Sequence, residues 1–146
     1  DMMRFQFGEI EELTAYGSQH EYPELDEFSI IFKFKSGFHC TFASSSDASW
    51  HFPFERIEVF CHHRTIMTEE MERILDSRGM DANFDTHTYH MTPWDERWGY
   101  VQEDKAFIDA ILTGAPPPVT AHDGFKSVEL VESVYKAIRT GERVRF

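Results

Sequence analysis

Cysteine is scarce in this chain: only Cys40 and Cys61 occur in 146 residues. Two thiols are too few for a disulfide framework, so a packed core must hold the fold. Both lie in alternating apolar runs, where a small buried thiol is expected, and a reducing cytoplasm is the compartment that fits. Basic residues are also few, 14 Lys and Arg against 26 Asp and Glu, for a formal net charge of -12. A surface of that sign repels phosphate backbones and anionic lipid, so neither nucleic acid nor a membrane surface is an expected partner. No apolar run approaches the ~20 residues of a membrane span, and no charged-then-apolar leader opens the chain. There is no G-x-G-x-x-G to cradle a pyrophosphate and no G-x-S-x-G to present a nucleophilic serine. Phenylalanine, by contrast, is abundant at 14 residues, which predicts an aromatic core and an aromatic interface. A chain of this length should bury roughly 70% of its extended surface, so residues 1–146 are expected to form a single domain.

Phe28, Ile30, Phe32 and Phe34 alternate with Ser29, Ile31, Lys33 and Lys35, the period-two pattern of a strand with one face in a core. Ser36-Gly37 is a turn signal, and Phe38, Cys40 and Phe42 resume the alternation, which predicts a hairpin. Ile57, Val59 and Cys61 form another run, Phe84 to His90 a further strand and Glu9 to Tyr16 an earlier one, while Tyr22 to Glu27 and Ser44 to Phe52 read as loops. Strands grouped ahead of terminal helices indicate an α+β domain: an open, mostly antiparallel sheet of about five or six strands with helices packed on one face. The uncovered face would carry Ile31, Phe60, Tyr89 and Met91. It is mixed enough for water and apolar enough for a partner sheet, so Ile31, Phe60 and Met91 are candidate contacts of a homo-oligomer.

The last 44 residues read as two helices and a closing strand. Phe107, Ile108, Ile111 and Leu112 fall on one helical stripe, and Gly114 sits where a left-handed residue would end the helix. Pro116, Pro117 and Pro118 cannot continue it and favour a stiff connector. Thr120 with Asp123 three residues on fits a capping box, which starts a second helix near Ala121. Phe125, Val128, Val131, Val134, Tyr135 and Ile138 make its stripe, Gly141 is its expected cap, and Arg143 to Phe146 a strand. At the other end, Met2, Phe5 and Phe7 followed by Gly8 read as the close of a helix.

This order and spacing, from Glu103-Asp104-Lys105-Ala106-Phe107 through Ala115-Pro116-Pro117-Pro118-Val119-Thr120 to Gly141-Glu142-Arg143-Val144-Arg145-Phe146, resembles the C-terminal end of the glucose-fructose oxidoreductase and inositol dehydrogenase family, Gfo/Idh/MocA. The resemblance implies a dihydrodipicolinate-reductase-like α+β domain. Asp1 through Tyr16 looks like the family's passage from an Asp, three positions after a catalytic His, through a short helix into a strand. It therefore implies that the His lies just before residue 1. It further implies that an N-terminal Rossmann domain, which binds NAD or NADP, lies outside this chain, and that the chain alone holds no cofactor and is catalytically silent.

One polar-aromatic constellation stands out: His87, Tyr89, His90, Trp94, Asp95, Arg97, Trp98 and Tyr100. In the resembled family the sheet domain supplies part of a sugar or polyol pocket, so Tyr89, Trp94 and Trp98 are candidate substrate-binding residues, with aromatic faces for C–H surfaces and polar tips for hydroxyls. Packing of Trp94 and Trp98 onto the first terminal helix is the competing reading. Cys61-His62-His63 and His87-x-x-His90 invite a metal, yet neighbours at odd offsets along a strand point to opposite faces, so no metal site is expected. Glu69, Glu70 and Glu72 read as a solvated acidic face. Two functions follow. One is the substrate-binding and oligomerisation domain of an NAD(P)-dependent oxidoreductase acting on a sugar or polyol hydroxyl. The other is a stand-alone binding or assembly module. A Gly-rich strand-turn-helix encoded about 170 residues upstream would favour the first.

Overall fold

The computed structural model describes residues 1–49, 51, 54–80 and 83–146. A short helix α1 (Met2–Phe7) leads into strands β1 (Ile10–Ser18), β2 (Glu27–Phe34) and β3 (His39–Ser45). Four more strands follow, β4 (Arg56–Cys61), β5 (Arg64–Glu69), β6 (Arg73–Arg78) and β7 (Phe84–Thr88). Helices α2 (Trp94–Arg97), α3 (Tyr100–Thr113) and α4 (Ala121–Thr140) precede a two-residue strand β8 (Val144–Arg145). The α+β class and the antiparallel pairing are as expected. The described strands number eight and form two four-stranded sheets, β3-β2-β1-β8 and β4-β5-β6-β7, where the pattern predicts one sheet of five or six. Trp50, Phe52, Pro53, Asp81 and Ala82 lie outside the described residues, so the end of the expected Ser44–Phe52 loop does too.

The chain divides into two compact units, Asp1–Ala48 with Val119–Phe146, and Ser49–Pro118. In the first, β2 buries Ile30, Phe32 and Phe34 and turns Ile31 and Lys33 outward, as its alternation dictates. Ile10, Leu13 and Ala15 of β1, Val134 and Ala137 of α4 and Val144 of β8 complete the core. Phe7 closes one end against Phe34 and Phe38, with ring centroids 5.7 and 4.8 Å away. Gly17 packs closely where β1 meets α4: a Cβ there would stand 2.9 Å from Ile138 Cδ1, which would have to shift. The capping box at α4 forms as expected: Thr120 N donates to Asp123 Oδ2 at 2.9 Å, and Asp123 N to Thr120 Oγ1 at 3.3 Å. Gly114 and Gly141 take the left-handed conformation that ends α3 and α4. In the loop before β2, the buried Asp26 carboxylate accepts from the backbone N–H groups of His20, Glu21 and Tyr22.

The second unit is built differently. Among its described residues only Ala110 and Asp76 are buried. Asp76, 5% exposed, accepts from Arg64 Nε and Nη2 at 2.8 Å each and from Arg78 Nη2 at 2.6 Å. A polar clamp thus occupies an inward position of β6 that the hydrophobic pattern would leave to an apolar residue. Three expectations change here. The α3 stripe Phe107, Ile108, Ile111 and Leu112 is 53–77% exposed, with Ala110 the buried residue of that helix. Cys61 is exposed, whereas Cys40 is half-buried and burial pushes its thiol up. His62 and His63 form the β4–β5 turn and bring their rings within 4.1 Å, because His63 adopts positive φ and breaks the strand alternation.

Candidate functional site

Helix α2 is a single turn, started by Pro93 and ended at Trp98, after which Gly99 at φ 85° turns the chain into α3. A left-handed residue at that corner is what only glycine adopts without strain. The corner brings the aromatic side chains of the two helices together. Trp94 stacks on Tyr100 at 5.2 Å and lies 6.3 Å from Trp98, which in turn stands 5.8 Å from Phe54. Trp94 therefore does pack onto the first terminal helix. It also does more.

Trp94, Arg97 and Trp98, with Glu70, Met71 and Glu72 of the β5–β6 turn and His51 and Phe54, line a cleft of about 400 Å³. That volume is in the range of small-ligand sites. The turn is held in place from several sides. Glu70 has φ 53°, its N–H donates to Glu55 O at 2.9 Å, and its Oε1 accepts from Phe54 N at 2.7 Å. A non-glycine residue in that region is strained by roughly 1 kcal/mol or more and persists only where its surroundings impose it. Glu72 pairs with Arg97 across the cleft, Oε1 to Nη1 at 3.1 Å, and its carbonyl accepts from Tyr89 N at 2.7 Å. The Arg97 side chain is 16% exposed, and its Nε is buried without a hydrogen-bond partner. The acidic run that reads as a solvated face is thus structural: Glu69 pairs with Arg73, Glu70 tethers Phe54 and Glu72 holds Arg97.

Of the three substrate-binding candidates, Trp94 and Trp98 line this cleft, and Tyr89 lies just past β7 outside its described lining. Glu70 and Glu72 read in the sequence only as part of an acidic run, and Met71, His51 and Phe54 carry no local signal; a hairpin turn between β5 and β6 was the feature that would have found Glu70, Met71 and Glu72. Ile31, Phe60 and Met91 are all exposed. Ile31 is on β2 of the first sheet, Phe60 on β4 of the second, and Met91 in the turn after β7, because the strands belong to two sheets and β7 ends at Thr88. A second hollow, of about 70 Å³, is lined by Arg4, Glu9, Lys35, Lys126 and Glu129 among others and is too small for a sugar ring. Among the described residues no three His, Cys, Asp or Glu side chains converge as a metal would need, and no helix is long and apolar enough to cross a membrane.

The family model described as "Oxidoreductase family, C-terminal alpha/beta domain", that of Gfo/Idh/MocA, matches residues 1–146. No curated protein matches the chain. An oxidoreductase from Agrobacterium radiobacter, solved in complex with NAD+, L-tartaric acid and magnesium, is similar with a TM-score of 0.81 at 19% identity, over 99% of this chain and 46% of that one. A levoglucosan dehydrogenase in complex with NADH and L-sorbose gives 0.83 at 15% identity, over 99% and 47%. A probable dehydrogenase from Thermotoga maritima gives 0.74 at 24% identity, over 99% and 45%. At these identities the likeness is one of fold, and the chain spans less than half the length of each of these proteins. With strands, caps and helices in the family's order and its model matched over all 146 residues, the chain belongs to the Gfo/Idh/MocA oxidoreductase family as its C-terminal α/β domain.

Proposed function

We propose that this chain is the substrate-side and oligomerisation domain of an NAD(P)-dependent oxidoreductase acting on a hydroxyl of a sugar or polyol. The observation that carries the reading is the cleft in which Trp94 and Trp98 face Glu70 and Glu72. Indole faces pack on the C–H surface of a sugar, and carboxylate and guanidinium tips exchange hydrogen bonds with its hydroxyls. The solved relatives carry a nicotinamide dinucleotide together with L-tartaric acid in one case and L-sorbose in the other. By analogy the parent protein uses NAD or NADP.

No residues of this chain suit a dinucleotide: the sequence has no Gly-rich turn between a strand and a helix. The proposal therefore assigns cofactor and hydride transfer to a Rossmann domain outside the chain. What these residues contribute is orientation. Trp94 and Trp98 would hold the ring plane, Glu72 and Arg97 would fix the hydroxyl pattern, and the aromatic wall would exclude water from the ligand's covered side.

The test is tryptophan fluorescence of the chain titrated with a sugar and, separately, with NADH. Saturable quenching by the sugar, abolished by Trp98→Ala with an unchanged far-UV spectrum, is expected, together with no tight NADH binding. Unaltered sugar binding in Trp98→Ala would remove the cleft from the proposal, and tight binding of NADH to the chain alone would remove the division of labour. The complete reading frame is then expected to reduce NAD or NADP in the presence of a sugar or polyol.

A further inference from the structure

We infer that the cleft is built for uncharged polyhydroxylated ligands and against sugar acids, and that Glu72 is the residue that sets this selectivity. The inference rests on the cleft being the ligand site proposed above, and deepens it from sugars in general to their neutral class. Its basis is the charge balance of the lining. Glu70 and Glu72 bring two carboxylates, and Arg97 the one guanidinium, with His51 as the remaining titratable group among the described lining residues. A guanidinium in a sugar site would ordinarily recruit a carboxylate ligand through paired N–H donors.

Here part of that capacity is taken. Arg97 is held by Glu72 at 3.1 Å, and only 16% of its side chain is exposed. Its Nε is shielded from solvent, so that donor cannot be offered to a ligand without moving the side chain. Nor does Glu70 carry a compensating cation. Its Oε1 accepts from the Phe54 backbone N–H, a bond that fixes the carboxylate without neutralising its charge. An anionic ligand would meet the uncompensated charge of Glu70 and an arginine already partly neutralised by Glu72, in a chain whose formal net charge is -12. Hydroxyl groups suffer no such penalty, since each can donate to a carboxylate oxygen and accept from a guanidinium. The aromatic wall of Trp94 and Trp98 is indifferent to charge at this level and serves both classes equally.

The matched pair D-glucose and D-glucuronate isolates the charge. Fluorescence titration of the chain, in which two of the three tryptophans line the cleft, is expected to give glucose at least about tenfold tighter than glucuronate at low salt, a gap that salt narrows. Glu72→Gln releases Arg97 and removes one carboxylate. It should narrow the glucose-to-glucuronate affinity ratio about tenfold, with glucuronate affinity rising and glucose affinity falling as the hydrogen bonds from hydroxyls to the carboxylate are weakened. Because that variant leaves a half-buried guanidinium unpaired, Glu70→Gln is the second arm. Its amide oxygen can still accept from Phe54 N, and the glucose-to-glucuronate ratio should again narrow through a gain in glucuronate affinity. Far-UV circular dichroism reports whether either variant is folded. Glucuronate binding the wild-type chain as tightly as glucose, or neither folded variant gaining glucuronate affinity, would overturn the inference and leave the cleft as the ligand site. Neither sugar binding would remove the cleft as a site, and this inference with it.

Discussion

Asp76 shows how one residue sets the character of half the chain. The guanidiniums of Arg64 and Arg78 hold its carboxyl far below the usual carboxylate range. At Asp26 burial opposes ionisation, but the backbone N–H donors of His20, Tyr22 and Glu21 outweigh it, and that carboxyl is lowered as well. For both, the folded pKa lies below the unfolded one, so the stabilisation is complete above the unfolded pKa and is lost as pH falls through the folded one. Thermal melts should therefore be flat near neutrality and drop below about pH 4, where unfolded carboxyls begin to take up protons. Asp76→Asn should lower the neutral midpoint and flatten the acid limb; an unchanged acid limb would show that the clamp does not carry it. At the apolar extreme, Phe34 is fully buried between Phe7 and Phe38. Phe34→Ala should cost about 3–5 kcal/mol in urea unfolding. Trp94 and Trp98, which line the cleft, could be singled out because large aromatics beside charged ones are conspicuous. Glu70 and Glu72 were not, because their partners Phe54 and Arg97 are distant in sequence and adjacency depends on the β5–β6 turn.

At the level of elements, the parts dictated by local physics are those the sequence discloses. The Thr120–Asp123 box, the left-handed glycines ending α3 and α4 and the alternation of β2 need only neighbours within a few residues. Thr120→Ala should lose about 1 kcal/mol in urea unfolding, since one N-terminal N–H loses its acceptor. Strands β5 and β6 escaped because the buried position of β6 carries Asp76, a charge tolerated there because Arg64 of β5 and Arg78 of β6 satisfy it. The stripe of α3 was read correctly as an apolar helix face, and in the structure it is exposed. Periodicity says that a face is apolar and cannot say what covers it.

For the whole molecule, the uneven distribution of buried side chains has a measurable consequence. The first unit holds the apolar core cluster and the second a polar clamp. Hydrogen exchange should be slow for amides of β1 and β2 and markedly faster for β4 to β7, since few buried apolar contacts oppose local opening. Equal protection in both sheets would contradict that view. The proposed self-association is tested by light scattering after size exclusion: a dimer or larger, shifted towards monomer by Ile31→Glu or Phe60→Glu, is expected. With these residues on separate sheets, the two variants also report which sheet pairs, and a wild-type monomer at high concentration would remove the interface. The sequence by itself determined the two long helices with their caps, the strands of clear alternation and the family, because propensity, capping and turn chemistry act over a few residues. Only the tertiary structure decided that the strands form two sheets, that Asp76 is buried, and that Glu72 meets Arg97 beside two tryptophans. Those outcomes depend on cross-strand register and on pairs of side chains far apart in the chain, whose meeting no local pattern encodes.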